Sequence, residues 1–396
     1  MASSNPSDIS RSFPNEPLWV GLIERAAKIT GPVLDDTTLG VKIGLATLLD
    51  DVAHVRQVLW DSGLAPHGEL VGPSAPYIGL ATSPNYEFYV AALAILSVGG
   101  AIVTLRKHSL HPILTHQQCL TPQTGPEISN EEELLVLKQC NTTTILTGPQ
   151  QTTQCSALKA LSDADGHPLQ LIPLRIASLN NAKSESTSNT AAAAATFHIN
   201  TSQPIPPDSP ALVIRTTGTT GTAKNVVHTR RLFYRTLPAQ PDDLILIQQN
   251  LDWISGTVSI LVRVLSGAKG EVLPTNPGPA AIWERLRKGG VTSLTDHSWF
   301  WVHLARYFQE HIEQLPETER AEYVRGAQGL RWAFIVGTPP PPWLLGFWKR
   351  VFGRVLRVGY VATELGAVTL MTSADEEYIE VRVYPGFFDG AGFLLF

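Results

Sequence analysis

One-signed charge is the first thing this chain lacks: 30 Lys and Arg stand against 35 Asp and Glu in 396 residues, a net charge of -5 at pH 7. Bulk attraction to nucleic acid or to an anionic membrane is thereby excluded, and any basic site must be local. Cysteine is scarce as well. Cys119, Cys140 and Cys155 have no CxxC spacing, and three cysteines cannot form a closed disulfide framework within one chain, so a reducing compartment is expected. Long apolar runs are missing: no stretch reaches about 18 uninterrupted apolar residues, and Met1 to Pro14 is polar where a secretory signal would be apolar. The last residues, Phe393-Leu394-Leu395-Phe396, are not a Ser-Lys-Leu type peroxisomal address. The expectation is a soluble, cytoplasmic protein with neither a membrane nor a nucleic acid as partner.

What is present is enough apolar material, 43% of residues, to bury a large core. From Leu39 to Leu59 the apolar residues Leu45, Leu48, Leu49, Val52, Val55, Val58 and Leu59 fall three and four apart, the spacing of an amphipathic helix. Ala75 to Thr82 reads as a buried strand, Tyr86 to Ser97 as a helix ended by Gly99-Gly100, and Ala101 to Leu105 as the next strand. That order is a βαβ unit. Further on, Ala211 to Arg215, Leu244 to Gln248, Arg331 to Val336 and Val355 to Tyr360 read as strands, with Pro279 to Lys288 and Trp299 to Gln314 as helices. Two polar, Ser/Thr/Pro-rich stretches, at about 114–134 and 178–210, interrupt the alternation as loops or linkers. The fold class expected is a layered α/β one.

The most informative run is Thr216-Thr217-Gly218-Thr219-Thr220-Gly221-Thr222-Ala223-Lys224-Asn225-Val226-Val227-His228-Thr229. Its glycines permit tight turns, its hydroxyls can donate to phosphate oxygens, and Lys224 adds a positive charge, which together suit a polyphosphate cradle. A P-loop is excluded by spacing: two residues separate Gly218 from Gly221 and two more separate Gly221 from Lys224. The order of residues resembles the phosphate-binding signature Thr-Ser-Gly-Thr-Thr-Gly-x-Pro-Lys-Gly of the adenylate-forming (AMP-dependent synthetase/ligase) superfamily. Val-Val-His-Thr after it is similar to acyl-CoA synthetases. Asn225 stands where that signature has Gly, which predicts less backbone freedom and more bulk at the loop exit.

A second segment, Arg357-Val358-Gly359-Tyr360-Val361-Ala362-Thr363-Glu364-Leu365-Gly366, resembles the superfamily's Tyr-Gly-x-Thr-Glu motif. The resemblance implies Tyr360 against adenine, Thr363 at the α-phosphate and Glu364 holding magnesium, so that Lys224, Thr363 and Glu364 form the catalytic set. Thr216, Thr217, Gly218, Thr219, Thr220, Gly221, Lys224, Gly337, Tyr360 and Thr363 would contact the nucleotide. Gly337 belongs to Phe334-Ile335-Val336-Gly337-Thr338-Pro339, similar to the strand and turn that border the adenine and acyl pocket. Asn250-Leu251-Asp252-Trp253-Ile254-Ser255-Gly256 stands at the superfamily's Pro-Leu-His-His-Val-His-Gly segment, which implies Trp253 and Gly256 beside the acid. Arg263, the one charge in the apolar run Gly256 to Leu265, would grip a second carboxylate, so a small polar or dicarboxylic acid is expected. Val98-Gly99-Gly100 with Arg106-Lys107-His108 is similar to malonyl-CoA synthetase-like members.

The resemblance implies three regions: an extension at 1–38, an adenylate-forming N-terminal domain at 39–370 with mixed sheets flanked by helices, and a divergent tail at 371–396. No counterpart of the small C-terminal domain with its catalytic Lys is legible after Met371. The implied activity is conversion of a small-molecule carboxylic acid to an acyl-adenylate with ATP and Mg²⁺, then to a thioester with coenzyme A as co-substrate, and the drifted motifs point to specialised metabolism. Two alternatives stay open: a nucleotide- or acyl-binding protein without turnover, and an incomplete reading frame. A separate protein supplying the C-terminal function is a further expected partner. Thr216 to Lys224, Tyr360 and Glu364 are expected to face one cleft.

Overall fold

The computed structural model describes residues 11–72, 76–105, 129–180, 196–216, 224–234, 240, 242–249, 251, 254–275, 277–366, 368–372, 382–383 and 394–395. The chain opens with strand β1 (Ser12–Asn15) and helix α1 (Pro17–Lys28), then β2 (Leu34–Asp36), β3 (Val41–Ile43) and α2 (Leu45–Asp61). A βαβ unit follows, made of β4 (Tyr77–Ala81), α3 (Tyr86–Ser97) and β5 (Ala101–Thr104), with the helix bounds the periodicity predicts. Next come α4 (Asn130–Gln139), β6 (Thr144–Thr147), α5 (Thr152–Ala164), β7 (Gln170–Pro173), the single turn α6 (Ala177–Asn180), β8 (His198–Pro204), β9 (Pro210–Thr216) and β10 (Lys224–Thr229). The second half holds β11 (Leu244–Ile247), α7 (Ile254–Ser266), β12 (Lys269–Val272), α8 (Pro279–Arg287), β13 (Ser293–His297), α9 (Ser298–Tyr307), α10 (Glu317–Gln328), β14 (Trp332–Val336), α11 (Pro342–Phe352), β15 (Arg357–Val361), β16 (Val368–Met371), β17 (Arg382–Val383) and β18 (Leu394–Leu395). Among the described residues no helix is long and apolar enough to cross a membrane.

Two compact units result. The first takes Met1–Ala27, Ala46–Leu232 and Leu394–Phe396, the second Lys28–Leu45 and Phe233–Phe393. In the first, a sheet of order β18-β10-β9-β5-β4-β6-β7 has a parallel centre and antiparallel β10 and β18 at one side. Helix α3 is buried along its whole length, since none of its residues from Tyr86 to Ser97 is polar on a consistent face; its start is fixed by Asn85, whose side chain accepts from the Glu87 N–H at 3.0 Å. In the second, the order is β17-β16-β15-β14-β13-β11-β12-β2-β3, with β15 to β2 running parallel.

Residues 12–36, read from sequence as an extension, carry β1, α1 and β2. β1 pairs with β8, which lies inside the second polar stretch, and β2 pairs with β12. Helix α1 buries Leu18, Trp19, Leu22 and Ala26 at helical spacing. Helix α4 begins inside the first polar stretch, where Ser129 accepts from the Glu132 N–H at 3.3 Å and three glutamates occupy the first turn. The predicted linkers therefore contain regular structure at their ends, while 114–128 and 181–195 lie outside the described residues.

Behind the second sheet lies an aromatic core. Trp283, Trp301 and Trp348 are fully buried, with Trp301 and Trp348 edge to face at 4.9 Å between ring centroids. Trp301 Nε1 donates to the Phe334 carbonyl at 3.1 Å and so pins α9 to β14. Helix α9, which follows β13 directly, is thereby held to the middle of β14, the strand that pairs with β13.

Candidate functional site

In the first unit, β9 and β10 form an antiparallel pair in which Thr216 stands opposite Lys224. Thr216 Oγ1 donates to the Lys224 carbonyl at 3.4 Å, and the Lys224 side chain is exposed. Thr217 to Ala223, the rest of the predicted cradle, lie outside the described residues; both neighbours of that segment are held by one rung of the ladder. Asn225 needs no positive φ. It is paired opposite Arg215 in extended backbone, and its amide donates to Gln139 Oε1 at 2.8 Å, so the substitution for Gly is absorbed by a strand. The expected loss of freedom does not arise, because the position is a ladder residue rather than a turn residue.

In the second unit, the parallel strands β13, β14 and β15 end on one edge. At that edge Tyr360 is 58% exposed, which puts aromatic surface where a flat ring can stack. Directly after β15 the chain folds into a short turn, Thr363–Leu365, closed by Gly366 at φ +72°, with the Leu365 N–H on the Ala362 carbonyl at 3.0 Å. The turn presents Thr363 half-buried and Glu364 exposed. Val361, which replaces the Gly of the motif, is a strand residue with no positive φ. At the end of β14, Gly337 takes φ +87°, and a Cβ there would lie 2.3 Å from His297 Nδ1. Only glycine fits, on backbone and on space alike.

Glu364 offers one exposed carboxylate oxygen donor, the kind Mg²⁺ takes alongside phosphate oxygens. Among the described residues no group of three or more His, Cys, Asp or Glu gathers as a metal site. Gly256 is buried in α7. Trp253 and the Arg263 side chain lie outside what the structure describes. Lys224 and Thr216 thus fall in one unit and Gly337, Tyr360, Thr363 and Glu364 in the other.

Sequence reasoning passed over Gln248 and Asp296. Asp296 is 6% exposed at the carboxyl end of β13, and burial pushes its carboxyl up to about 6, against the opposing pull of the His297 N–H and the Gln248 amide. The distances are 2.6 Å from the His297 N–H to Oδ1 and 3.1 Å from Gln248 Nε2 to Oδ2. The available signal was a charged residue inside the otherwise uncharged strand Ser293-Leu294-Thr295-Asp296-His297, a placement that burial makes costly.

Comparison with known proteins bears on these edges. The family described as AMP-binding enzyme matches residues 66–385. The acyl-CoA ligase oryP of Aspergillus oryzae is 31% identical over 351 residues, which cover 87% of this chain and 56% of that protein. The chain therefore spans little more than half the length of this curated relative. ATP-bound MatB from Rhodopseudomonas palustris shares the fold with a TM-score of 0.60 at 17% identity, over 90% of this chain and 62% of MatB. The inhibitor-bound N-terminal domain of FACL13 from Mycobacterium tuberculosis shares it with a TM-score of 0.63 at 15% identity, over 90% of this chain and 78% of that one. The two-unit α/β architecture is that of the N-terminal domain of adenylate-forming enzymes, and the chain belongs to the AMP-binding enzyme family.

Proposed function

We propose that this chain binds ATP and activates a carboxylic acid as an acyl-adenylate, which then passes to coenzyme A in an acid-thiol ligase reaction of specialised metabolism. The observation that carries this reading is the β15 edge, where an exposed aromatic ring, a hydroxyl and an exposed carboxylate follow one another within five residues. Tyr360 supplies a stacking surface for adenine and the Thr363 hydroxyl donates to the α-phosphate, while Lys224, exposed at the start of β10, offers a positive charge of the kind phosphate oxygens attract. Glu364 would hold the magnesium that comes with the nucleotide, which would supply positive charge against the phosphate charge of the reaction.

In the reaction proposed, an oxygen of the acid attacks the α-phosphorus while the bond to the bridging oxygen breaks and pyrophosphate leaves with its electron pair. The thiol sulfur of coenzyme A then bonds to the acyl carbon, AMP departs, and the thiol proton is lost to solvent. The protein's share is positioning and charge stabilisation.

Titration calorimetry with ATP and Mg²⁺ tests the binding step. Lys224→Ala and Glu364→Gln each remove a charge-assisted contact worth about 1.5–3 kcal/mol, so ATP affinity is expected to fall roughly 10- to 100-fold. Unchanged affinity in both variants would sink the assignment. Acid-dependent exchange of labelled pyrophosphate into ATP tests the chemistry, and ATP binding with no such exchange would assign a nucleotide-binding role without turnover.

A further inference from the structure

Strand order in the second unit reverses direction at β11, the arrangement beside which open α/β sheets bind ligands. From β11 the chain goes to β12 on one side, then returns to place β13 on the other side of β11 and continues to β14. Right-handed connections running in opposite directions put their helices on opposite faces, which leaves an opening outside the carboxyl ends of β11 and β13. Gln248 follows β11 directly and Asp296 is near the end of β13, so both stand at this point. They are 3% and 6% exposed and joined by the 3.1 Å hydrogen bond across it.

That pair is not complete by itself. Among the described residues Gln248 Oε1 is a buried acceptor with no hydrogen-bond partner. The Asp296 carboxyl receives two donors where an ionised carboxylate has about four acceptor positions. Unused acceptors gathered at one buried spot are costly unless a donor arrives.

We infer that Gln248 and Asp296 form the specificity-determining end of the acid pocket, selecting an acid whose tail ends in a hydrogen-bond donor, a hydroxyl or an amine. This rests on the reading of the chain as an acid-activating ligase. Thr363, placed by that reading at the α-phosphate, follows β15, two strands along the same edge from β13; the lateral separation is about 10 Å. An extended acid of short to medium length spans it. A methyl-ended tail would leave Oε1 and the carboxylate unpaired, and a carboxylate-ended tail would meet the Asp296 charge. The dicarboxylic acid expected from Arg263 is thus the disfavoured substrate.

Calorimetry with hexanoate, ω-hydroxyhexanoate, ω-aminohexanoate and adipate, each with and without ATP and Mg²⁺, decides the matter. The hydroxy or amino acid is expected to bind about 10-fold or more tightly than hexanoate and adipate. In Asp296→Leu and in Gln248→Leu that preference should shrink to within about twofold, with circular dichroism melts confirming that each variant is folded. Equal or tighter binding of hexanoate or adipate by the unaltered protein, or binding of none of the acids, overturns the inference, and this comparison on the unaltered protein stands even if a variant fails to fold. Failure of ATP to bind strikes the ligase reading separately, because the acid panel is also read without nucleotide.

Discussion

A carboxyl group at the position of Asp296 keeps either its charge or its burial cheaply, not both. Burial raises its pKa from 3.8 to about 6. The folded form therefore holds a proton between about pH 4 and pH 6 that the unfolded chain has released, and stability falls as pH rises through that window. Above about pH 6 the buried charge costs the fold about 3 kcal/mol, while below about pH 4 it costs nothing. Asp296→Asn removes the titrating group, so urea denaturation is expected to show a flatter pH profile and a gain in stability that is largest near neutral pH. Parallel profiles for the two proteins would show that the carboxyl titrates normally.

At the scale of elements, close approach rather than propensity decides what a glycine does. Gly326 lies in α10 against α8, and a Cβ there would meet the Leu286 carbonyl oxygen at 2.1 Å and its carbon at 2.5 Å. Backbone cannot swing aside as a side chain can, so the helices must part. Gly326→Ala is expected to cost about 1–3 kcal/mol. Gly346 in α11 is the contrast, since its Cβ would meet only the flexible Arg350 guanidinium at 3.1 Å. There alanine gains helix propensity of up to about 1 kcal/mol, so Gly346→Ala should be neutral or stabilising. Thermal melts of both variants check the pair. Equal shifts would mean that α8 and α10 tolerate separation.

Across the whole first unit, one buried ion pair ties distant parts of the chain. Arg230 donates to Glu16 at 2.9 Å, to the Leu96 carbonyl at 3.0 Å and to the Gly100 carbonyl at 3.0 Å, with both charged side chains fully buried. The contact links the start of α1, the end of α3 and the entry to β5. Removing one partner strands a charge, so Arg230→Met should lose about 3–5 kcal/mol in denaturant titration. Adding Glu16→Gln to that variant removes the stranded charge and is expected to restore part of the loss. A double variant as unstable as the single one would show that the carbonyl contacts, not the pair, carry the stability.

The α/β alternation was legible in the residues, because buried strands such as Ala211 to Ile214 and Leu244 to Ile247 read as unbroken apolar runs and helices such as α2 repeat at three and four residues. So was the family, since the order of residues in Thr216 to Thr229 and in Tyr360 to Glu364 is specific where their composition is not. Folding was needed to reveal that β1 and β2 join the sheets, that β8 emerges from a polar stretch, and that Gln248 meets Asp296 across 48 residues of chain. Strands of three or four residues are too short to show a period, and a crossover that returns to the far side of its first strand leaves no local trace. Which polar side chains share a crevice is fixed by strand order, and strand order is set by how whole layers bury their apolar faces.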